Sequence, residues 1–179
     1  MMGKRSNFAR NPRDFYPTPP AAVEPLIPHL EYGDMFCEPC AGDGALVKAL
    51  EAHGMSCAHA SDIEPQADWV DRMDALGGDL GGCVQSCEWI ITNPPWDRSI
   101  MHAMIREFSA IKPTWLLFDA DWVHTRQSAP FIPWLRKVVS VGRVKWIEGS
   151  KHTGKDNCAW HLFCQQSDGA AEFYGRSAK

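Results

Sequence analysis

Met35-Phe36-Cys37-Glu38-Pro39-Cys40-Ala41-Gly42-Asp43-Gly44-Ala45-Leu46-Val47-Lys48-Ala49-Leu50 reads as strand, glycine loop and helix. A short apolar run stops at Glu38-Pro39, and Leu46, Ala49 and Leu50 then give a helix an apolar stripe. Gly42 and Gly44 permit a left-handed backbone and the close approach of a ligand. The third position of the dinucleotide pattern G-x-G-x-x-G is Val47, so NAD is not expected. A second strand end follows at Trp89-Ile90-Ile91-Thr92-Asn93-Pro94-Pro95-Trp96-Asp97. Its prolines lack an N–H and cannot continue a ladder, so the backbone leaves the strand extended. In an open α/β sheet, ligands sit at the carboxyl ends of the strands. Asn93 offers a side-chain carbonyl there, Pro94 a backbone carbonyl and Trp96 a flat apolar face. Two acceptors beside an aromatic plate suit a planar group carrying an NH2. The plainer reading of the stretch is a rigid strand exit with a packing tryptophan.

The rest of the chain fits around these two ends. Met55 to Ser61 predicts the second strand, ending at Asp62, eighteen residues past Gly44. An acid at that distance is placed to accept from ribose hydroxyls. Thr18 is placed to cap a short helix beginning at Pro19 or Pro20. Gln66 to Leu76 and Arg98 to Ile111 read as helices, the latter with Ile100, Ala103, Met104 and Phe108 inward. Thr114 to Phe118 reads as a strand buried on both faces. Residues 119–134 look like a loop, Ser140 to Ile147 and Cys158 to Cys164 like the last strands.

With 179 residues the chain is long enough for one domain with a sizeable core, expected over residues 14–165. Residues 1–13 read as a flexible basic arm and 166–179 as a flexible tail. No apolar run approaches a membrane span. Seven cysteines without a disulfide rhythm point to a reducing cytoplasm. Cys37-x2-Cys40 and Cys83-x3-Cys87 have metal-like spacing, but they read better as small core residues, and no metal is expected. The net charge is −4, with its signs separated. Fifteen acids face two bases between Asp14 and Asp97, and seven bases face one acid between Trp122 and Lys155. The basic segment is either a solvated face or a phosphate-binding rim.

Three motifs, in order, carry a resemblance to a known family. Asn93-Pro94-Pro95-Trp96 resembles the catalytic motif of amino-methyltransferases that use S-adenosylmethionine (SAM). Glu38-Pro39-x-Ala-Gly-Asp-Gly resembles the first SAM motif of class I methyltransferases. Tyr16-Pro17-Thr18-Pro19 resembles the Tyr-x-Thr-Pro element of adenine-N6 DNA methyltransferases, especially small phage and prophage ones. The resemblance implies a Rossmann-like, mostly parallel sheet of about seven strands with helices on both faces. It implies SAM as cofactor, held by Tyr16, Thr18, Pro19, Glu38, Pro39, Cys40, Ala41, Gly42, Gly44, Asp62, Ile63, Asp79 and Asn93. Asn93, Pro94, Pro95 and Trp96 would act on the target amine. Trp96 would stack on the base, with Trp146 preferred over Trp160 and Trp122 as a second wall. Arg126, Arg143 and Lys145 would meet nucleic acid, with DNA the first expectation. The chain departs from the family in having no recognisable target-recognition domain. An RNA adenine, a protein glutamine side chain, or SAM binding without catalysis are the alternatives. The sequence leaves the oligomeric state open.

Overall fold

The computed structural model describes residues 16–78, 80–147, 149 and 153–176. The basic arm at 1–13 and Asp79 lie outside the described residues. In chain order the strands are β1 (Met35–Glu38), β2 (Ser56–Asp62), β3 (Asp71–Arg72), β4 (Trp89–Thr92), β5 (Thr114–Asp119), β6 (Leu135–Arg143), β7 (Asn157–Phe163) and β8 (Glu172–Tyr174). The helices are α1 (Pro20–Val23), α2 (Ala45–Glu51), α3 (Leu80–Cys83) and α4 (Arg98–Ile111). The strands form one sheet in the order β3-β2-β1-β4-β5-β7-β6-β8. Only β7 runs antiparallel to its neighbours. The order reverses at β1, which pairs in parallel with both β2 and β4. The crevice between the carboxyl ends of β1 and β4 is therefore the switch point where a ligand belongs.

Both faces of the sheet are covered, as the solid apolar run at 114–118 requires. Trp115 and Leu117 pack with α2 residues Leu46, Val47 and Leu50 on one face. Leu116 and Phe118 pack with α4 residues Met101, Met104, Ile105 and Phe108 on the other. The two-residue period of β5 sends successive side chains into two different cores. Burial of each such side chain contributes ~1.5–3 kcal/mol.

Four local expectations need correction. Residues 66–76 do not wind into a helix, because their backbone groups are taken elsewhere. Gln66 N–H donates to Gly42 O at 2.9 Å, and Asp62 O accepts from Met73 N at 3.0 Å. Thr18 does not cap α1; Pro19 stands at the N-cap position, with no side-chain cap. In α4 the buried face is Met101, Met104, Ile105 and Phe108, while Ile100 is exposed. Asp97 sets that phase by accepting from Ser99 N at 2.9 Å and Ile100 N at 3.3 Å. The strand expected at 140–147 instead begins at Leu135 and ends at Arg143. Gly142, at φ 86°, sits where the β6–β7 register shifts and the strand bends away.

The flexible tail expected from residue 166 also gives way to structure, through residue 176. Arg136 donates to Ser167 Oγ at 2.8 Å and Gly169 O at 3.0 Å. These bonds lead the chain into β8, whose Glu172, Phe173 and Tyr174 pair with Lys137, Val138 and Val139. Among the described residues the sheet thus has eight strands where about seven were expected.

Candidate active site

The carboxyl ends of β1, β2 and β4 open onto a cavity of about 1080 Å³. Its walls include Tyr16, Thr18, Glu38, Pro39, Cys40, Ala41, Asp62, Ile63, Asn93 and Pro95. The three motifs, separated in sequence, thus meet in one crevice. Asp62 braces the loop: Oδ2 accepts from Gly42 N at 2.9 Å and Oδ1 from Glu64 N at 2.8 Å. Gly42 and Gly44 have φ of 55° and 77°, the region that favours glycine. A Cβ on Gly44 would lie 2.1 Å from the Trp69 ring. The close approach that Gly44 permits is therefore to the chain's own indole, on the outside of the loop.

Among the described residues six acids line the cavity (Glu38, Asp43, Asp62, Glu64, Asp74 and Asp97), and no lysine or arginine does. Asp74, Ala75 and Leu76 form the wall beyond β3. Sequence reading missed them because it placed residues 66–76 in a helix. The glycine pair Gly77-Gly78 was the signal that a turn, with its own acid, stood at the sheet edge.

Glu38 is 1% exposed. Its Oε1 accepts from Thr92 Oγ1 at 3.1 Å, while Oε2 has no partner. Burial raises its pKa well above the ordinary glutamate value; Asp62 and Asp43 add to the rise, against hydrogen bonds from Thr92 and the Asn93 backbone. The folded chain thus holds this proton where the unfolded chain releases it. Its contribution to stability is complete below the unfolded pKa and is lost as pH rises towards the raised folded value. Glu38→Gln cannot titrate, so the melting temperature should fall less than wild type's between about pH 5 and about pH 7. Coincident slopes in thermal melts would mean that Glu38 is already ionised there.

Asn93 is held at both ends of its carboxamide. Nδ2 donates to Thr18 Oγ1 at 3.1 Å, and Oδ1 accepts from Trp96 Nε1 at 3.3 Å. The same indole N–H reaches Leu117 O at 3.3 Å. Trp96 is half-buried and meets Trp146 edge-on, with centroids 5.8 Å apart and planes at 88°. Trp146 in turn lies 6.5 Å from Tyr16, a cavity residue. Trp122 and Trp160 are fully buried and unavailable as a second wall. Arg143 and Lys145 are exposed on the segment leading to Trp146. Arg126 is exposed beside Gln127, which accepts from Arg98 at the start of α4. No disulfide joins any of the seven cysteines, and among the described residues no three His, Cys, Asp or Glu side chains gather as metal ligands. No helix of the described residues is long and apolar enough to cross a membrane.

This architecture is the fold of class I SAM-dependent methyltransferases. A candidate RNA methyltransferase from Pyrococcus horikoshii superposes with a TM-score of 0.56 at 17% identity, over 86% of this chain and 90% of that one. A dimethyladenosine transferase from Plasmodium falciparum gives 0.53 at 12% identity, over 85% and 63%. A modification subunit ascribed to a type I restriction enzyme of Vibrio vulnificus gives 0.53 at 10%, over 92% and 47%. The chain therefore spans less than two thirds of the length of the last two. No family's sequence profile matches the chain, and no curated protein matches it.

Proposed function

We propose that the chain is a SAM-dependent methyltransferase acting on the exocyclic N6 amine of adenine in DNA. The observation that carries the cofactor is the charge of the cavity, six acids and no lysine or arginine among its described lining residues. SAM is a net cation without a phosphate, whereas a dinucleotide would bring its pyrophosphate against these carboxylates. A cofactor ammonium beside the buried Glu38 would draw off its proton and leave the unpartnered Oε2 as the ammonium's acceptor. In this reading Asp62 and Ile63 would meet the ribose, and Tyr16, Thr18 and Pro19 would cover the methionine end. Asp74, on the wall beyond β3, would be a further acceptor for the cofactor's adenine amine.

When bound, SAM supplies a sulfonium methyl already activated for transfer. The chain's part is to prepare the acceptor. An aromatic amine's lone pair is delocalised into its ring and is a poor nucleophile. Asn93 Oδ1 and the Pro94 carbonyl would each accept from the NH2, favour a tetrahedral nitrogen and return the pair to it. Pro95 keeps the Pro94 backbone extended. Catalysis is then mostly positioning in line with the methyl group. Trp96 and Trp146 would offset part of the cost of unstacking the base. Arg126, Arg143 and Lys145 would hold the flanking phosphates.

The test is incubation with labelled SAM and separate DNA, RNA and protein pools, followed by nucleoside analysis. N6-methyladenine in DNA is the expected product. Binding to duplex DNA should weaken steeply with salt, and replacing Arg143 and Lys145 by Gln should flatten that slope. Label in RNA or protein alone would reassign the substrate, and label in none would remove the catalytic reading.

A further inference from the structure

The contacts around Asn93 give Trp96 a second task. A carboxamide has two opposite ends, and a half-turn exchanges an acceptor for a donor. With the ends reversed, an NH2 would face the target's own NH2. Thr18 cannot choose between them, because a hydroxyl both donates and accepts. The Trp96 indole can choose, because its nitrogen only donates. At 3.3 Å it lies within hydrogen-bonding distance of the Asn93 amide end that must be oxygen. Its second acceptor, Leu117 O on β5, ties the same N–H to the centre of the sheet. Contacts with both cores and the edge-on meeting with Trp146 restrict the ring further. Thr18, 5% exposed, then accepts from the other end of the amide.

We propose that Trp96 is a positioning residue whose indole N–H fixes the Asn93 carboxamide with Oδ1 as the acceptor for the target amine. This rests on the reading of Asn93 as that acceptor. An amide oxygen has two lone pairs, so the indole occupies one and leaves one for the substrate. Phenylalanine would keep an aromatic face but lose the donor, and tyrosine would carry its hydroxyl at the far end of the ring. The choice of aromatic residue after Pro95 therefore affects the chemistry as well as the stacking.

Trp96→Phe separates the two tasks. Loss of the donor should lower kcat about three- to tenfold, the range for one hydrogen bond, while KM for DNA and SAM affinity stay near wild type. A plate that only stacks predicts the reverse: near-normal turnover in Trp96→Phe, and a raised KM in Trp96→Ala. A second measurement needs neither substrate nor a change at Trp96. In ¹H–¹⁵N spectra of the wild-type chain the Trp96 indole N–H should exchange slowly. In Asn93→Leu its resonance should move and its exchange quicken. An indole signal unchanged by Asn93→Leu would overturn the proposal even if methylation is confirmed. If no pool accepts a methyl group, the functional reading falls first, and the spectra still decide whether the indole holds the amide.

Discussion

Asn93→Ala should lower single-turnover methylation by at least about ten- to a hundredfold while SAM affinity stays near wild type. On the proposed mechanism the lost group would be one of two acceptors for the target nitrogen. Its hydrogen bond should strengthen as the nitrogen turns tetrahedral and gains positive character. A bond with charged character is worth ~1.5–3 kcal/mol, which sets the lower range of the effect. Asn93 lines the cavity only in part of its surface, and its own bonds run to Thr18 and Trp96. Removing it frees the hydroxyl of Thr18 and the indole of Trp96, and Leu117 O still receives the indole. The fold should therefore survive with a modest fall in melting temperature. Melting temperature, calorimetric SAM affinity and single-turnover rate, measured together, decide the matter. If the folded Asn93→Ala protein methylates adenine at near wild-type rate, Asn93 is not the acceptor. If SAM affinity and stability fall in step with rate, Asn93 is a structural residue.

Asp62→Ala should act on binding and on the loop at once. The carboxylate accepts from Gly42 N and Glu64 N, and both bonds have a charged acceptor worth ~1.5–3 kcal/mol each. The first fixes the glycine loop and the second the turn that closes the cavity beyond β2. Asp62 also lines the cavity, where two ribose hydroxyls would donate to it. Losing all four contacts should weaken SAM binding by more than about a hundredfold. Asp62→Asn has one acceptor oxygen and should fall between Ala and wild type. Titration calorimetry with S-adenosylhomocysteine reads the affinity without turnover. Unchanged affinity in both variants would place the cofactor elsewhere.

The parts of the site that the sequence announced share one property: each is local. The glycine loop, the Asn93-Pro94-Pro95-Trp96 exit and Asp62 are set by residues within a few positions of one another. Glycine φ, proline's missing N–H and strand length bias their backbone locally, before Asp62, 20 residues from Gly42, braces the loop. What the sequence hid is non-local. Residues 66–76 have the composition of a helix, yet Gly42 and Asp62 claim their hydrogen bonds from outside the segment. Thr18 looks like a helix cap until Asn93, 75 residues away, approaches its hydroxyl. β8 has no strong strand pattern of its own, and Arg136 and β6 bring it into the sheet. Ile100 was expected inward by its helical phase, but it opens onto the cavity rather than the core.

β8 also bears on how the protein behaves outside its site. Without it the sheet would end at β6, nine residues long with five of them buried. An exposed edge of that length and composition is a template for joining other chains. β8 covers its centre with three residues, leaving a new rim too short to recruit a partner strand efficiently. A chain cut after Gln165 would keep every described residue that lines the crevice and lose this cover. Its defect would lie in solubility and shelf life, with self-association growing with protein concentration, while freshly prepared protein kept its crevice intact.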